Sequence, residues 1–170
     1  MDLVPRFLIR ESTMRHTGPW ALALMLALGT VPAGAQSIFD AVKTGTPAQV
    51  QALAAKDASV VNAKDATGKT PLHHAAIVGS VPMIECLLSL GAAIDAASAE
   101  SLTPLLEAIR SGKDAAANAL IEKGAKIDGA LHRAATRNRP AVIERLIAKG
   151  ADIEARDPQG FTPLTSATRM

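Results

Sequence analysis

Apolar residues in the middle of the chain recur at the three- and four-residue spacing of an amphipathic helix. Met83, Ile84, Leu87 and Leu88 lie on one face of such a segment, and polar residues separate them from the next apolar group. A shorter apolar segment precedes this one and ends at Gly79. The pattern therefore predicts two short antiparallel helices in this part of the chain.

The predicted helices have clear start and stop signals. Thr70 and Thr103 stand where an N-cap hydroxyl is needed, and each is followed by a proline in the first helical turn. First helices are predicted to end at residues that tolerate a left-handed conformation, namely Gly45, Gly79, Gly112 and Asn138. Second helices are predicted to begin near Pro47, Pro82, Asp114 and Pro140, and to end at Gly91, Gly124 and Gly150.

These helix pairs belong to an internal repeat. Thr70-Pro71-Leu72 returns as Thr103-Pro104-Leu105, and Gly91–Asp95 returns as Gly124–Asp128, both at an offset of 33 residues. Gly150–Glu154 is a third copy of the second motif. A fixed period of this length is typical of proteins that stack one helical unit on the next.

The strongest unit, Asp65–Gly79 continuing to Leu87–Ala92, resembles the ankyrin repeat at nearly every marked position of that family. The resemblance implies an all-α solenoid of paired antiparallel helices, in which a protruding β-turn, here called the finger, connects successive repeats. It covers residues 36–170 as about four repeats and a truncated fifth. In this family His73 and His132 hold a structural position in the Thr-Pro-Leu-His turn.

Two units depart from the family pattern. Only 26 residues separate Leu105 from Leu131, seven fewer than the period, and the missing piece falls where a finger belongs. We predict that the fourth unit has lost its finger and still stacks, because its apolar residues keep core spacing: Leu131, Ala134, Ala135, Ile143, Leu146 and Ile147. The fifth unit, which reaches Met170, has a first helix and no second.

Residues 1–35 have the organisation of a Sec-type secretory signal peptide. Basic residues precede the apolar run Trp20–Leu28, which leads into Ala33-Gly34-Ala35, and cleavage is expected after Ala35. Met14 is an alternative start to Met1. The run is too short and too interrupted for a spanning helix, although an uncleaved leader that tethers the protein to a membrane is the alternative. We therefore expect a bacterial protein that is periplasmic or secreted, without stable membrane insertion after cleavage.

Composition narrows the possible chemistry. A single cysteine, Cys86, excludes an internal disulfide, and its apolar neighbours predict that it is buried. Without residues 1–35 the chain has 15 basic and 14 acidic residues, and it has only four aromatic side chains in all, so we expect no nucleic-acid partner. Adjacent His73 and His74 point about 100° apart on a helix and cannot share a metal. Asp95, Asp128 and Asp152 recur with the unit and are interpreted as turn caps.

No catalytic residue, metal site or cofactor is predicted, so the expected function is a non-enzymatic protein–protein interaction. The resemblance implies that a partner binds the concave surface formed by the fingers and the exposed side of the first helices. On this chain that surface, the partner face, consists of Lys69, Ile77, Val78, Leu102, Arg110, Arg137 and Phe161. Arg110 and Arg137 would favour an acidic partner, whereas a solvated helix face is the simpler interpretation of the basic residues in the fourth repeat. We expect a monomer; an enzyme or a small-ligand-binding protein is the competing class.

Overall fold

A computed structural model of the protein describes residues 37–168; the predicted leader, residues 1–35, lies outside them. This part of the chain is helical and contains no β-strand. A short 3₁₀ helix spans Ala58–Asn62. The α-helices are α1 (Ile38–Thr44), α2 (Pro47–Lys56), α3 (Pro71–Val78), α4 (Val81–Ser89), α5 (Pro104–Arg110), α6 (Asp114–Glu122), α7 (Ala130–Thr136), α8 (Pro140–Ala148) and α9 (Pro163–Thr168).

The helices stack in two layers. The inner layer contains α1, α3, α5, α7 and α9, each packed against the next, and the outer layer contains α2, α4, α6 and α8 in the same order. The first four inner helices, α1, α3, α5 and α7, also pack against the outer helix of their own repeat. The hydrophobic core lies between the layers and includes Leu72, Leu87, Leu105, Leu120 and Leu146, all fully buried. The predicted all-α ankyrin solenoid is confirmed.

Helix ends follow the sequence signals with one exception. The Thr103 hydroxyl accepts a hydrogen bond from the Leu106 N–H and caps α5. Gly79 and Asn138 take the predicted left-handed conformation, with φ of 88° and 49°. The prediction for Gly45 was wrong, because its φ is −95° and α1 ends in an extended residue. A side chain at Gly45 would still collide with the backbone of Ala41, so close approach, rather than handedness, calls for glycine here.

Fingers connect the repeats at residues 65–69, 98–102 and 157–161. In the first, the Gly68 N–H donates to the Asp65 carbonyl, and the Asp65 carboxylate accepts from the N–H groups of Thr67 and Lys69. Neighbouring fingers bond directly, since the Ala99 N–H donates to the Thr67 carbonyl over 3.1 Å. The carboxylate of Asp95 also links repeats, by accepting from the Lys126 N–H over 2.9 Å. The carboxylate of Asp65 thus holds its own finger, whereas that of Asp95 joins one repeat to the next.

The short fourth repeat has no finger. A tight turn, in which the Ala130 N–H donates to the Ile127 carbonyl over 3.0 Å, leads directly into α7. Gly129 provides the left-handed residue that this turn needs, with φ of 69°. Packing of α7 on α5 and of α8 on α6 continues both layers. The loss of seven residues therefore removes the finger without interrupting the stack.

The prediction that Cys86 is buried is confirmed, whereas the prediction that Ile147 is a core residue was wrong. Cys86 is 8% exposed, and burial raises the pKa of its thiol. Ile147, predicted to be a core residue, is 47% exposed. Its counterpart one repeat earlier, Ile121, is 3% exposed because α8 packs on α6. Within residues 37–168 no further outer helix covers α8 in the same way.

Candidate functional site

The apolar part of the predicted partner face lies at the carboxyl end of α3. Val78 is 43% exposed, and Ile77 beside it is half-buried. Large apolar side chains with this exposure are few in the described residues; the others are Ile147, Ile153 and Leu164. Val78 is the only one of these four on the partner face.

The structure removes Leu102 from the partner face. Its side chain is only 6% exposed, and its carbonyl accepts a hydrogen bond from Nε2 of His73 over 2.9 Å. Its N–H donates to the hydroxyl of Ser98, which is also buried. These contacts hold the residue between two repeats, so the expectation that the Leu102 side chain is exposed was wrong.

The backbone of Phe161 makes two hydrogen bonds. Its N–H donates to the Asp157 carboxylate and its carbonyl accepts from Nε2 of His132, each over 2.9 Å. The residue as a whole is half-buried. The finger and α7 therefore fix the place of Phe161.

Three predicted partner-face residues are basic, and two of them meet one carboxylate. Glu107, on α5, is fully buried. Its Oε2 lies 2.8 Å from Nη2 of Arg110, and its Oε1 lies 3.6 Å from Nζ of Lys69 in the preceding repeat. Arg110 also reaches Glu100 in the finger, with 3.1 Å between Nη1 and Oε2. This network fixes Arg110 on two sides; the third basic residue, Arg137, is exposed.

Sequence reasoning missed Glu107. The repeat offers a signal that could have found it, because Glu107 is the counterpart of His74 one repeat earlier and of Arg133 one repeat later. Successive repeats thus place different polar side chains at the equivalent position of the inner layer. A carboxylate between basic neighbours can be buried at that point because it is paired.

Arg133 lies on α7, which packs against α5. Its side chain is half-buried. Burial, together with the positive charges of Arg137 and Arg110, lowers the pKa of the Arg133 guanidinium, and the Glu107 carboxylate partly offsets this. Three arginines, Arg110, Arg133 and Arg137, and the carboxylate of Glu107 therefore interact electrostatically across repeats three and four.

The two adjacent histidines of α3 have structural partners. Nδ1 of His73 accepts a hydrogen bond from the Thr70 N–H over 3.0 Å, and Nε2 donates to the Leu102 carbonyl. Nε2 of His74 lies 2.7 Å from Oδ2 of Asp65, and its ring meets the edge of Phe39. Burial alone raises the pKa of the Asp65 carboxyl, but hydrogen bonds from Thr67, His74 and Lys69 outweigh it and hold that pKa well below its usual range. The predicted structural role of His73 is confirmed.

A cavity of about 570 Å³ lies between the tight turn of the fourth repeat and the last finger. Three of the polar residues that line it already serve that finger. His132 bonds to the Phe161 carbonyl, Asp157 bonds to the Phe161 N–H, and Arg156 donates to the Gly160 carbonyl over 2.8 Å. The cavity lining thus holds the last finger in place.

Metal sites and membrane helices were sought over the same part of the chain. Among residues 37–168 no three His, Cys, Asp or Glu side chains are grouped so that they could hold a metal ion. No helix in that range combines the length and the apolar character that crossing a bilayer requires.

Comparison with known proteins gives a consistent result. A family model for ankyrin repeats (3 copies) matches residues 38–129, and one for ankyrin repeats (many copies) matches residues 131–170. Protein phosphatase 1 regulatory subunit 27 of Mus musculus is 34% identical over 91 residues, which are 53% of this chain and 58% of that protein. With its two-layer stack of helix pairs, the chain belongs to the ankyrin-repeat family, whose repeats are protein–protein interaction modules.

Proposed function

We propose that the protein is an exported, non-enzymatic module that binds a protein partner on its partner face. The observation that supports this most directly is Val78, an apolar side chain 43% exposed beside half-buried Ile77 at the end of an inner helix. Burying such side chains against a partner is favourable, and apolar centres with polar surroundings are common in interfaces. The charged network joins Lys69, in the finger that precedes α3, to Glu107 and Arg110 on the next inner helix, and it supplies polar surroundings.

An enzymatic function has less support than binding. The buried ring of His73 has both nitrogens engaged with Thr70 and Leu102. Three side chains of the cavity beside the last finger, those of His132, Arg156 and Asp157, are likewise engaged by backbone groups of that finger. Ankyrin repeats are typically non-enzymatic, and a regulatory subunit is the role named for the mouse relative. On the partner face, by contrast, the apolar side chain of Val78 is 43% exposed.

The partner face can be tested by making Ile77 and Val78 polar. We expect Ile77→Ser with Val78→Ser to keep the free energy of unfolding within about 1 kcal/mol of the original, because these side chains are only partly buried. Capture of the natural partner is expected to weaken more than tenfold, or by over about 1.4 kcal/mol. Cross-linked pull-down from the envelope fraction identifies the partner, and titration of that partner measures the change.

The matched control makes the same kind of change on residues outside the partner face. Ile147→Ser with Ile153→Ser removes two isoleucines that are 47% and 54% exposed, the first of them on α8 in the outer layer. This control is expected to bind the partner as the original does. If the Ile77 and Val78 variant captured the partner normally and the control lost it, the binding surface would have to lie outside the partner face.

Export is proposed from the sequence of residues 1–35 alone. The basic residues, the apolar run Trp20–Leu28 and Ala33-Gly34-Ala35 support cleavage after Ala35. We expect the mature protein to begin at Gln36 and to fractionate with soluble envelope proteins. Intact-mass measurement of protein from cells that express the whole chain checks this. A mass that includes Trp20–Leu28, found in the membrane fraction, would instead support the tethered alternative.

A further inference from the structure

We propose, on the basis of the proposed function, that Arg133 and Arg137 bind an acidic segment of the protein partner. We call these two residues the arginine pair. In this proposal Glu107 is an internal anion that keeps Arg110 engaged within the protein and leaves the arginine pair for the partner.

The geometry places the two side chains together. Arg133 lies on α7 and Arg137 is its C-cap, four residues later, and this spacing brings side chains about 5–6 Å apart at Cβ. The packing of α7 on α5 brings Arg133 beside the Glu107 and Arg110 network of the preceding repeat. The arginine pair is thus continuous with the partner face.

The arginine pair differs from its basic neighbours in its ion pairing. Lys69 and Arg110 both pair with Glu107, and Arg110 pairs with Glu100 as well. Within residues 37–168, no carboxylate lies within ion-pair distance of Arg133 or Arg137. Among the described residues, both guanidinium groups of the arginine pair therefore lack a carboxylate within ion-pair distance, and that of Arg133 is half-buried.

Carboxylates fit these groups better than any other protein side chain does. A guanidinium offers parallel N–H donors that match the two oxygens of a carboxylate, and the charge strengthens both hydrogen bonds. An anion placed here would also relieve the repulsion among Arg110, Arg133 and Arg137. A segment with neighbouring Asp or Glu residues can meet both members of the pair at once.

Nucleic acid fits the same surface less well. Glu107 and Glu100 are part of the surroundings and would repel a run of phosphates. Stacking platforms for bases are also scarce, since Phe39 and Phe161 are the aromatic residues among those described. The surface therefore favours two or three carboxylates of a protein over a polyanionic backbone.

The binding test uses a fluorescently labelled hexaglutamate peptide and the full chain. We expect saturable, salt-sensitive binding, measured by fluorescence anisotropy. Arg133→Gln with Arg137→Gln is expected to weaken it more than tenfold. The matched control, Arg145→Gln with Lys149→Gln, removes the same charge from the outer side of the same repeat, where both residues pair with Glu122. The control is expected to stay within twofold of the original.

A second variant tests the role given to Glu107. Glu107→Gln removes the internal anion, frees Arg110 and is expected to strengthen hexaglutamate binding at least threefold, which a merely structural residue would not do. Thermal melting establishes that the variant folds. Should it not fold, Glu100→Gln removes the exposed counter-ion of Arg110 and is expected to strengthen binding in the same direction.

Several results would overturn the inference. One is that the original chain fails to bind the peptide, and another is that the Arg145 and Lys149 control loses as much peptide affinity as the arginine-pair variant does. A third such result is tighter binding of a twelve-nucleotide oligothymidylate than of hexaglutamate. If peptide binding fails while the Ile77 and Val78 variant still loses its natural partner, this inference is wrong and the proposed function stands. If the peptide binds and that variant keeps its partner, the apolar part of the proposed function is wrong.

Discussion

Leu87→Ala is expected to lower the free energy of unfolding by about 2 to 5 kcal/mol, the usual range for truncating a fully buried leucine. Leu87 lies on α4, which packs against α2 and α6 in the outer layer and against α3 in its own repeat. The cavity left by the truncation would weaken three helix contacts at once. Urea unfolding followed by circular dichroism measures the change, and we expect a single transition at a lower urea midpoint.

Leu164→Ala provides the comparison for Leu87. Leu164 is the same residue type on α9, but it is 74% exposed, so its truncation is expected to change stability by less than about 0.5 kcal/mol. Similar urea midpoints for the two variants would mean that α4 is not central to the stack. Loss of partner binding by Leu87→Ala would report unfolding and could not locate a binding surface.

His73→Ala is the second change with a large expected effect, a loss of about 3 to 5 kcal/mol from unsatisfied buried groups and a cavity. His73 is fully buried, and its ring joins the N–H of Thr70 to the carbonyl of Leu102 in the next repeat. Its removal would leave both backbone groups without this partner. It would also loosen the finger at residues 98–102 from α3, the inner helix of the preceding repeat. The same urea measurement gives the change.

His132→Ala is the matched control, since it changes the counterpart of His73 in the fourth repeat. This side chain is half-buried and bonds to the Phe161 carbonyl. Its loss is expected to cost about 1 kcal/mol, the net worth of one hydrogen bond. If the His73 variant proved as stable as the His132 variant, the bond to Leu102 would not be holding these repeats together.

The buried imidazole of His73 is also expected to make the free energy of unfolding depend on pH. Burial holds the pKa of His73 below its ordinary value of 6.5, although the Leu102 carbonyl and the Glu107 charge oppose the shift. Just below pH 6.5 the unfolded chain therefore binds more protons than the folded protein does. This contribution to stability is complete above pH 6.5 and falls as the pH drops below it. The urea midpoint is expected to fall between about pH 7.5 and pH 5, and less steeply in His73→Ala.

The features that the sequence determined by itself are local ones. Thr-Pro pairs and glycines set the helix ends, because they satisfy or avoid backbone hydrogen bonds within a few residues of their own position. The residues of the unit Asp65–Gly79 carried the family resemblance, and the seven missing residues located the lost finger. His73 and Cys86 were placed correctly because the repeat pattern and the apolar neighbours already define their surroundings.

Tertiary structure decided which repeated positions face solvent. Leu102 is the counterpart of Lys69 and was expected on the surface, but its carbonyl meets His73 and its side chain is buried. Glu107 is buried because Arg110 and Lys69 neutralise it, one of them from another repeat. Ile147 stays exposed where Ile121 is covered by the next outer helix. A repeat fixes the backbone at each position, whereas exposure and charge depend on the side chains of the repeats on either side, which the pattern of a single unit does not contain.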